Sequence, residues 1–489
     1  MLNNRKRPLQ ICNLLSTVLF LSVILAGAVH SATISGTVYT NEGVTNAGSG
    51  KTVRLIVNGV NAGNDVTDAV GAYSIVATLS AGDAMLIYID QENIDATSVT
   101  VSDGADLSGF DLYRDHVITR HDNGGSLTNA NMDTAKGAFS DAEIEYSVTA
   151  GVLTVTSGNE LYVLAGHTFA PGGNVSADDV EILGSVTAAS DTFTVTDNWD
   201  ASGGTFTPGT SAVKFTSTTA TFTPGTSSYN DIIVELFNNG NTLTLSSNLD
   251  VNNDLTITLG ELDVSATNYN ITVGGDYSNS GVFTARSGTV TFDGTNQSIT
   301  GSNTFYNFTK SVASTDTLTF QAGATQTFGG TVTINGASGN LLSLVSSTPG
   351  TRWNFTVNAG ATKSISYVDV KDSDASGSDV SQKAIKPSNS IDGGNNIHWF
   401  GASITISGIV YTDEGITDAG NNKTVRVVVN GVSYGTNNTD GSGAYSITAI
   451  VASGAALLVY VDDESPLFGT TVTVTDSVNL TGLDIYDDT

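Results

Sequence analysis

Phe193-Thr194-Val195-Thr196-Asp197-Asn198-Trp199 and Ile271-Thr272-Val273-Gly274-Gly275-Asp276-Tyr277 are one phrase written twice. The residues after each copy recur as well. Gly204-Thr205-Phe206 returns as Gly281-Val282-Phe283, and Val213-Lys214-Phe215 as Val290-Thr291-Phe292. Farther on, Thr242-Leu243-Thr244-Leu245 returns as Thr317-Leu318-Thr319-Phe320, and Leu255-Thr256-Ile257 as Val332-Thr333-Ile334. The spacing is about 77 residues throughout. Within each unit, apolar-x-apolar triplets come back after short intervals, with Gly and Asn between them. Such spacing predicts coils of a parallel β-solenoid over 116–400, each turn built from three short strands. The competing reading is a string of small β-sandwiches.

Beyond the repeat, alternation with period two appears everywhere and helical periodicity almost nowhere. Thr52-Val53-Arg54-Leu55-Ile56-Val57 sets Val53, Leu55 and Val57 on one face, and Gly288-Thr289-Val290-Thr291-Phe292 puts Thr outside. Apolar residues alternating with Thr are the signature of half-buried strands, so the chain reads as all-β. On either side of the solenoid stand two copies of one module. Ile34-Ser35-Gly36-Thr37-Val38-Tyr39 reappears as Ile406-Ser407-Gly408-Ile409-Val410-Tyr411, an offset of 406 − 34 = 372. Lys51, Arg54, Gly71-Ala72-Tyr73 and Asp90 then fall on Lys423, Arg426, Gly443-Ala444-Tyr445 and Asp462. Asn58-Gly59 and Asn430-Gly431 are hairpin pairs, because both central positions tolerate positive φ. Several short strands with turn signals between them give each module β-sandwich spacing.

The modules' shared pattern is Ile-Ser-Gly-x-Val-Tyr, then Thr-Val-Arg, then Asp68…Gly71-x-Tyr73 or Asp440…Gly443-x-Tyr445. It resembles the carboxypeptidase regulatory-like domains and the B-type repeats of bacterial collagen-binding adhesins. The middle resembles the right-handed β-helix segments of bacterial surface and autotransported adhesins. These resemblances imply Ig-like or transthyretin-like sandwiches flanking a right-handed β-helix; those of the end modules imply stalk or spacer units and do not imply catalysis. The expected organisation is a signal peptide at 1–31, a sandwich at 32–115, the solenoid at 116–400 and a second sandwich at 401–489. The close of the second module at Tyr486 reads as a short member, or a piece, of a longer alternating array.

The N-terminus carries Arg5, Lys6 and Arg7, an apolar run from Leu14 to Ala28, and small residues at Ser31 and Ala32. That is the layout of a secretory signal peptide, so secretion to the cell surface or medium is expected. Cys12, the only cysteine, falls inside it, which leaves a mature chain without disulfides or thiol chemistry. Removing the three basic residues leaves 15 Lys and Arg against the 48 Asp and Glu. So acidic a surface disfavours nucleic acid and anionic membranes and favours cations. No transmembrane segment is expected in the mature chain.

Four groups of residues invite chemistry. Asp369, Asp372 and Asp374 form the densest carboxylate cluster. They read as calcium ligands, as acid–base residues of a polysaccharide lyase or hydrolase, or as a solvated loop. Lys51 with Asp111, and Lys423 with Asp484, occupy places where the adhesin resemblance implies an isopeptide cross-link, with Glu42 and Glu414 as the assisting acids. An edge-strand Lys that discourages aggregation explains the same lysines. His116 and His121 flank Arg120, and two His five apart on an extended segment seldom chelate. Trp199, Trp353, Trp399 and Tyr277 suit a sugar-stacking face or, given that Trp199 and Tyr277 are repeat-equivalent, a stacked internal ladder. The functional expectation is a structural or adhesive surface protein, a rigid spacer presenting a polar face to glycan, matrix or neighbouring cells. No cofactor is expected beyond calcium. The alternatives are a polysaccharide-active enzyme, which would need a convergent carboxylate and basic cleft, and a calcium-stiffened stalk.

Overall fold

The computed structural model describes residues 30–489 except 91–93, 380, 381, 383, 384, 452, 453, 463, 464, 488 and 489. Residues 1–29 of the expected signal peptide lie outside the described residues. Among the described residues, no helix is long and apolar enough to cross a membrane.

The middle of the chain is a parallel β-solenoid of about 13 turns. Its first face is a 13-stranded sheet running from Tyr146–Thr149 to Ile391–Gly394. After one opening antiparallel pair, every neighbour is parallel. The second face is the greater part of a 12-stranded sheet, continued by a 4-stranded one, and the third is a 4-stranded sheet continued by a 7-stranded one. Strands such as Thr242–Leu245 and Thr289–Phe292 bury every second residue and turn Thr outward. In parallel register Val213, Ile232, Leu255, Tyr277 and Ile299 therefore stack one per coil. Aromatic rings fill the interior: Phe206 stacks on Tyr229 at 5.0 Å and Phe320 on Trp353 at 3.8 Å.

Corners explain the Asn and Gly content. The Asn248 side chain accepts the amide of Asn270 at 2.9 Å, and Asn270 in turn accepts that of Thr289 at 2.9 Å. Turn amides with no strand partner are thus satisfied by the coil below. Coils also approach too closely for side chains at some corners: a Cβ on Gly294 would lie 1.7 Å from the Gly274 carbonyl oxygen.

The 77-residue repeat does not map coil onto coil. Phe193 lies on the first face and its counterpart Ile271 on the third; Trp199 lies on the second face and Tyr277 on the first. Val213 and Val290, and Leu255 and Val332, show the same displacement. The repeat advances three coils plus two faces, so repeat-equivalent residues are not stacked. All three faces need the same apolar-x-apolar strand, and a strand-level resemblance need not respect the turn.

Each end module is two sheets over a shared apolar core. In the first, Ala72–Leu79, His30–Tyr39 and Leu112–Tyr113 form one sheet. Val60–Val66, Thr52–Val57, Ala84–Ile89 and Ala96–Val101 form the other. Between them lie Ile34, Val38, Val53, Leu55, Ile75, Ile87 and their neighbours. The second module repeats the plan with its own core of Ile404, Ile406, Val425, Val427, Ile447 and Val459. Even the bulge after Leu55 recurs after Val427.

Their edges differ. Ala96–Val101 pairs in parallel with His116–Thr119, which pairs with Glu160–Val163, so the first module's sheet runs on as the solenoid's second face. The expected boundary at 115/116 falls inside this continuous sheet. A short helix, Asn129–Lys136, capped by Thr128, packs on the side of that sheet that faces the solenoid core and buries Met132 and Ala135 there. Eight residues are too few for its period to show in the sequence.

Candidate functional site

The three expected calcium ligands do not converge. Asp369 sits on the first face in Val368–Lys371, and Asp374 on the second in Ser373–Asp374. Asp372 occupies the corner between them, where its carboxylate accepts the Gly350 amide at 3.0 Å and the Asn395 side chain at 2.6 Å. Those bonds hold its carboxyl below the usual range. Asp374 accepts the amide of Ser376 at 2.8 Å. Among the described residues, no clustering of three metal-ligating side chains joins them. Arg352 donates to the carbonyl of the same Asn395 at 2.8 Å and, with Lys371, helps to lower the Asp372 carboxyl, while Arg286 lies apart, forked onto Asp263 through two bonds.

The expected cross-link carboxylates serve the strands. Asp111 accepts the amide of Thr37 at 2.8 Å, and Asp484 that of Ile409 at 2.8 Å, each tying the last segment of its module to the first strand. The Lys51 and Lys423 amides donate to Thr67 and Thr439, both at 3.0 Å. Glu414 is exposed. Trp199, Trp353 and Trp399 are buried in the solenoid interior, as is Tyr277, so none of these rings is available for sugar stacking. They act as core, Trp353 packing against Phe320, Phe355 and Trp399.

Two sites remain. On the third face, a trough of about 460 Å³ is floored by the outward residues of consecutive coils. Asp250, Thr272 and Thr291 stand in register along it, flanked by Ser227, Asn248 and Asn270. Burial and the nearby Asp293 raise the Asp250 carboxyl above its ordinary value. Parallel register repeats one kind of outward residue at each coil, so the trough is a row of hydroxyls, amides and a carboxylate.

The second site is where the first module meets the solenoid. His116 and Glu160 are direct partners on adjacent strands and face outward together. Glu42, from the turn after His30–Tyr39, reaches the same point. Nearby, the Glu181 carboxyl is pushed up to about 7 by burial and by Glu42, Glu160 and Asp200. Of these residues, sequence spacing singles out Glu42 and His116, each for another role. His121 turns elsewhere: its ring nitrogen Nδ1 accepts the Gly125 amide at 3.0 Å.

Compared with known protein families, curated proteins and solved structures, the chain matches none. The resemblance of its modules to regulatory-like and adhesin repeats therefore rests on their residues alone.

Proposed function

We propose that this protein is a secreted, cell-surface structural or adhesive protein, a rigid β-rich spacer that presents its third face to a glycan. The observation that carries the reading is the trough over Asp250, Thr272 and Thr291. Polysaccharides are recognised through rows of hydroxyls, and a parallel solenoid supplies matching donors and acceptors at a constant step of ~4.8 Å. The residues at 1–31 support secretion, and the acidic surface supports solubility at high local density. The end modules are read as Ig-like or transthyretin-like spacers. The coil is taken as right-handed, the hand that parallel strand connections favour. Matrix proteins and neighbouring cells enter as carriers of such glycans.

The test is retention of the full chain on a panel of immobilised neutral and acidic polysaccharides, with soluble products assayed in parallel. Retention without products is expected. Thr272→Arg, which fills the trough, should abolish it, and Thr194→Arg on the first face should leave it intact. Retention on no polymer would remove the adhesive reading. A second reading, polysaccharide cleavage, is favoured by Asp250 standing near Asp293, since paired carboxylates serve acid–base work on glycosidic bonds. Product release lost in Asp250→Asn would establish it.

A further inference from the structure

We infer that the junction of the first module and the solenoid binds a first-row divalent metal ion of the zinc class, through Glu42, His116 and Glu160. The parallel register of His116–Thr119 with Glu160–Val163 sets the imidazole and the Glu160 carboxylate side by side. His116 Nε2 lies 3.2 Å from Glu160 Oε2 and 3.8 Å from Glu42 Oε1. One ligand atom from each residue falls within 4.8 Å of the others. A tetrahedral zinc with bonds of ~2.0–2.2 Å holds its donors about 3.3 Å apart, so small side-chain adjustments close the set.

The imidazole supplies the independent argument. His116 is only 8% exposed, and among the described residues the only groups that face its Nε2 are the two carboxylates, Glu160 at 3.2 Å and Glu42 at 3.8 Å. Its other nitrogen, Nδ1, faces the Arg114 carbonyl, which can only accept. Nδ1 therefore carries a proton, and Nε2 is the nitrogen turned to the two carboxylates. Two carboxylates around one imidazole nitrogen call for a cation in the gap, either a proton on Nε2 or a metal ion. A backbone carbonyl fixing the far nitrogen is the usual outer support of a metal-bound histidine. Tyr113 and Tyr162 stand edge-on to the ring at 6.0 Å and 5.4 Å and shield it from water.

The donor set decides the class of ion. One imidazole with carboxylates suits zinc and its first-row neighbours, whereas calcium prefers an all-oxygen shell of six to eight ligands. The ion would join three separate pieces: the module's first turn, the strand that extends its sheet, and the next coil. It would thus act as a staple across the seam. The second module keeps Glu414 in the place of Glu42, but among its described residues has no histidine. It serves as an internal control.

The cation competing for this gap is a proton, which would make an imidazolium–carboxylate cluster instead. Calorimetric titration of the untagged, chelator-treated full chain with zinc at pH 7.5 separates the two, with calcium as comparator. One tight zinc site is expected, together with a zinc-dependent rise in melting temperature. Glu42→Gln, at an exposed turn that leaves the core intact, should weaken it at least as much as losing an outer-shell partner does, roughly 10–100-fold. His116→Ala should remove the site, and Glu414→Gln should leave it unchanged. Absence of a tight zinc site, zinc affinity unaffected by Glu42→Gln, or calcium bound as tightly as zinc would each overturn the inference.

Discussion

The two end modules have the same strand order, the same bulge and the same Tyr-to-carbonyl bond closing the core, Tyr73 to Phe110 and Tyr445 to Leu483. They part at the outer side of the second sheet. In the first module Leu86, Val99 and Val101 point out of the module and into the solenoid core, where they are buried. Their counterparts by register, Leu458, Val472 and Val474, meet no such core, and the two valines are 68% and 65% exposed. Strand Thr470–Val474 is also the edge of its sheet, whereas Ala96–Val101 is followed by His116–Thr119. Identical local patterns thus yield a fused sheet at one end and an independent one at the other. The strand programme is local, but what lies against its outer face is not.

A matched pair of core truncations should separate the two modules most strongly. Leu86→Ala should destabilise the first module and the adjoining coils together, by about 2–5 kcal/mol. Leu458→Ala should cost less than about 1 kcal/mol and leave the solenoid transition in place. Urea unfolding followed by Trp fluorescence reads the solenoid, where Trp199, Trp353 and Trp399 lie, and far-UV circular dichroism on the same samples adds the second module. Equal effects would show that the continuous sheet is not a cooperative unit.

A second test uses acid. Asp122 is forked by Arg120 at 2.8 and 2.6 Å and takes the Thr100 hydroxyl at 2.6 Å, tying a solenoid turn to the first module. Burial works to raise its carboxyl, but the Arg120 and Thr100 bonds outweigh it and hold the folded value below the ordinary one. A depressed folded pKa gives stability that is present above the unfolded value of ~3.9 and lost as pH falls through the folded value. Asp122→Asn should therefore cost about 1–3 kcal/mol at neutral pH. The cost should shrink towards zero in strong acid, with the second module's transition unmoved. A penalty independent of pH would mean that packing, not charge, makes this tie.

The smallest effect on stability belongs to Val472→Lys, expected within about 0.5 kcal/mol. Its consequence lies elsewhere: Thr470–Val474 is an uncharged edge with outward valines, the kind that pairs with other chains. Concentration-dependent association, followed by sedimentation velocity, should fall in this variant. Unchanged association would place self-contact on another surface.

Much of the fold is legible because strands announce themselves locally. Thr242-Leu243-Thr244-Leu245 declares its buried face by alternation alone, and Asn58-Gly59 declares its turn. The coil register is not legible. Phe193 and Ile271 look equivalent, yet they lie on different faces, because coils of unequal length shift the strand phrase around the turn. The candidate sites fare likewise. Asp369, Asp372 and Asp374 are close in sequence, but a corner turns them onto different faces. His116 and Glu160 are far apart in sequence, but one hydrogen-bonded register sets them side by side.

Alternation, turn chemistry and duplication are properties of neighbouring residues, so the chain alone specifies an all-β fold, a solenoid middle and two homologous end modules. Long-range pairing decides the rest: which face each strand joins, that the first module's sheet becomes the solenoid's wall, and that Glu42, His116 and Glu160 meet. Parallel pairing links residues a full coil apart, and nothing in the local sequence records the length of the coil between them.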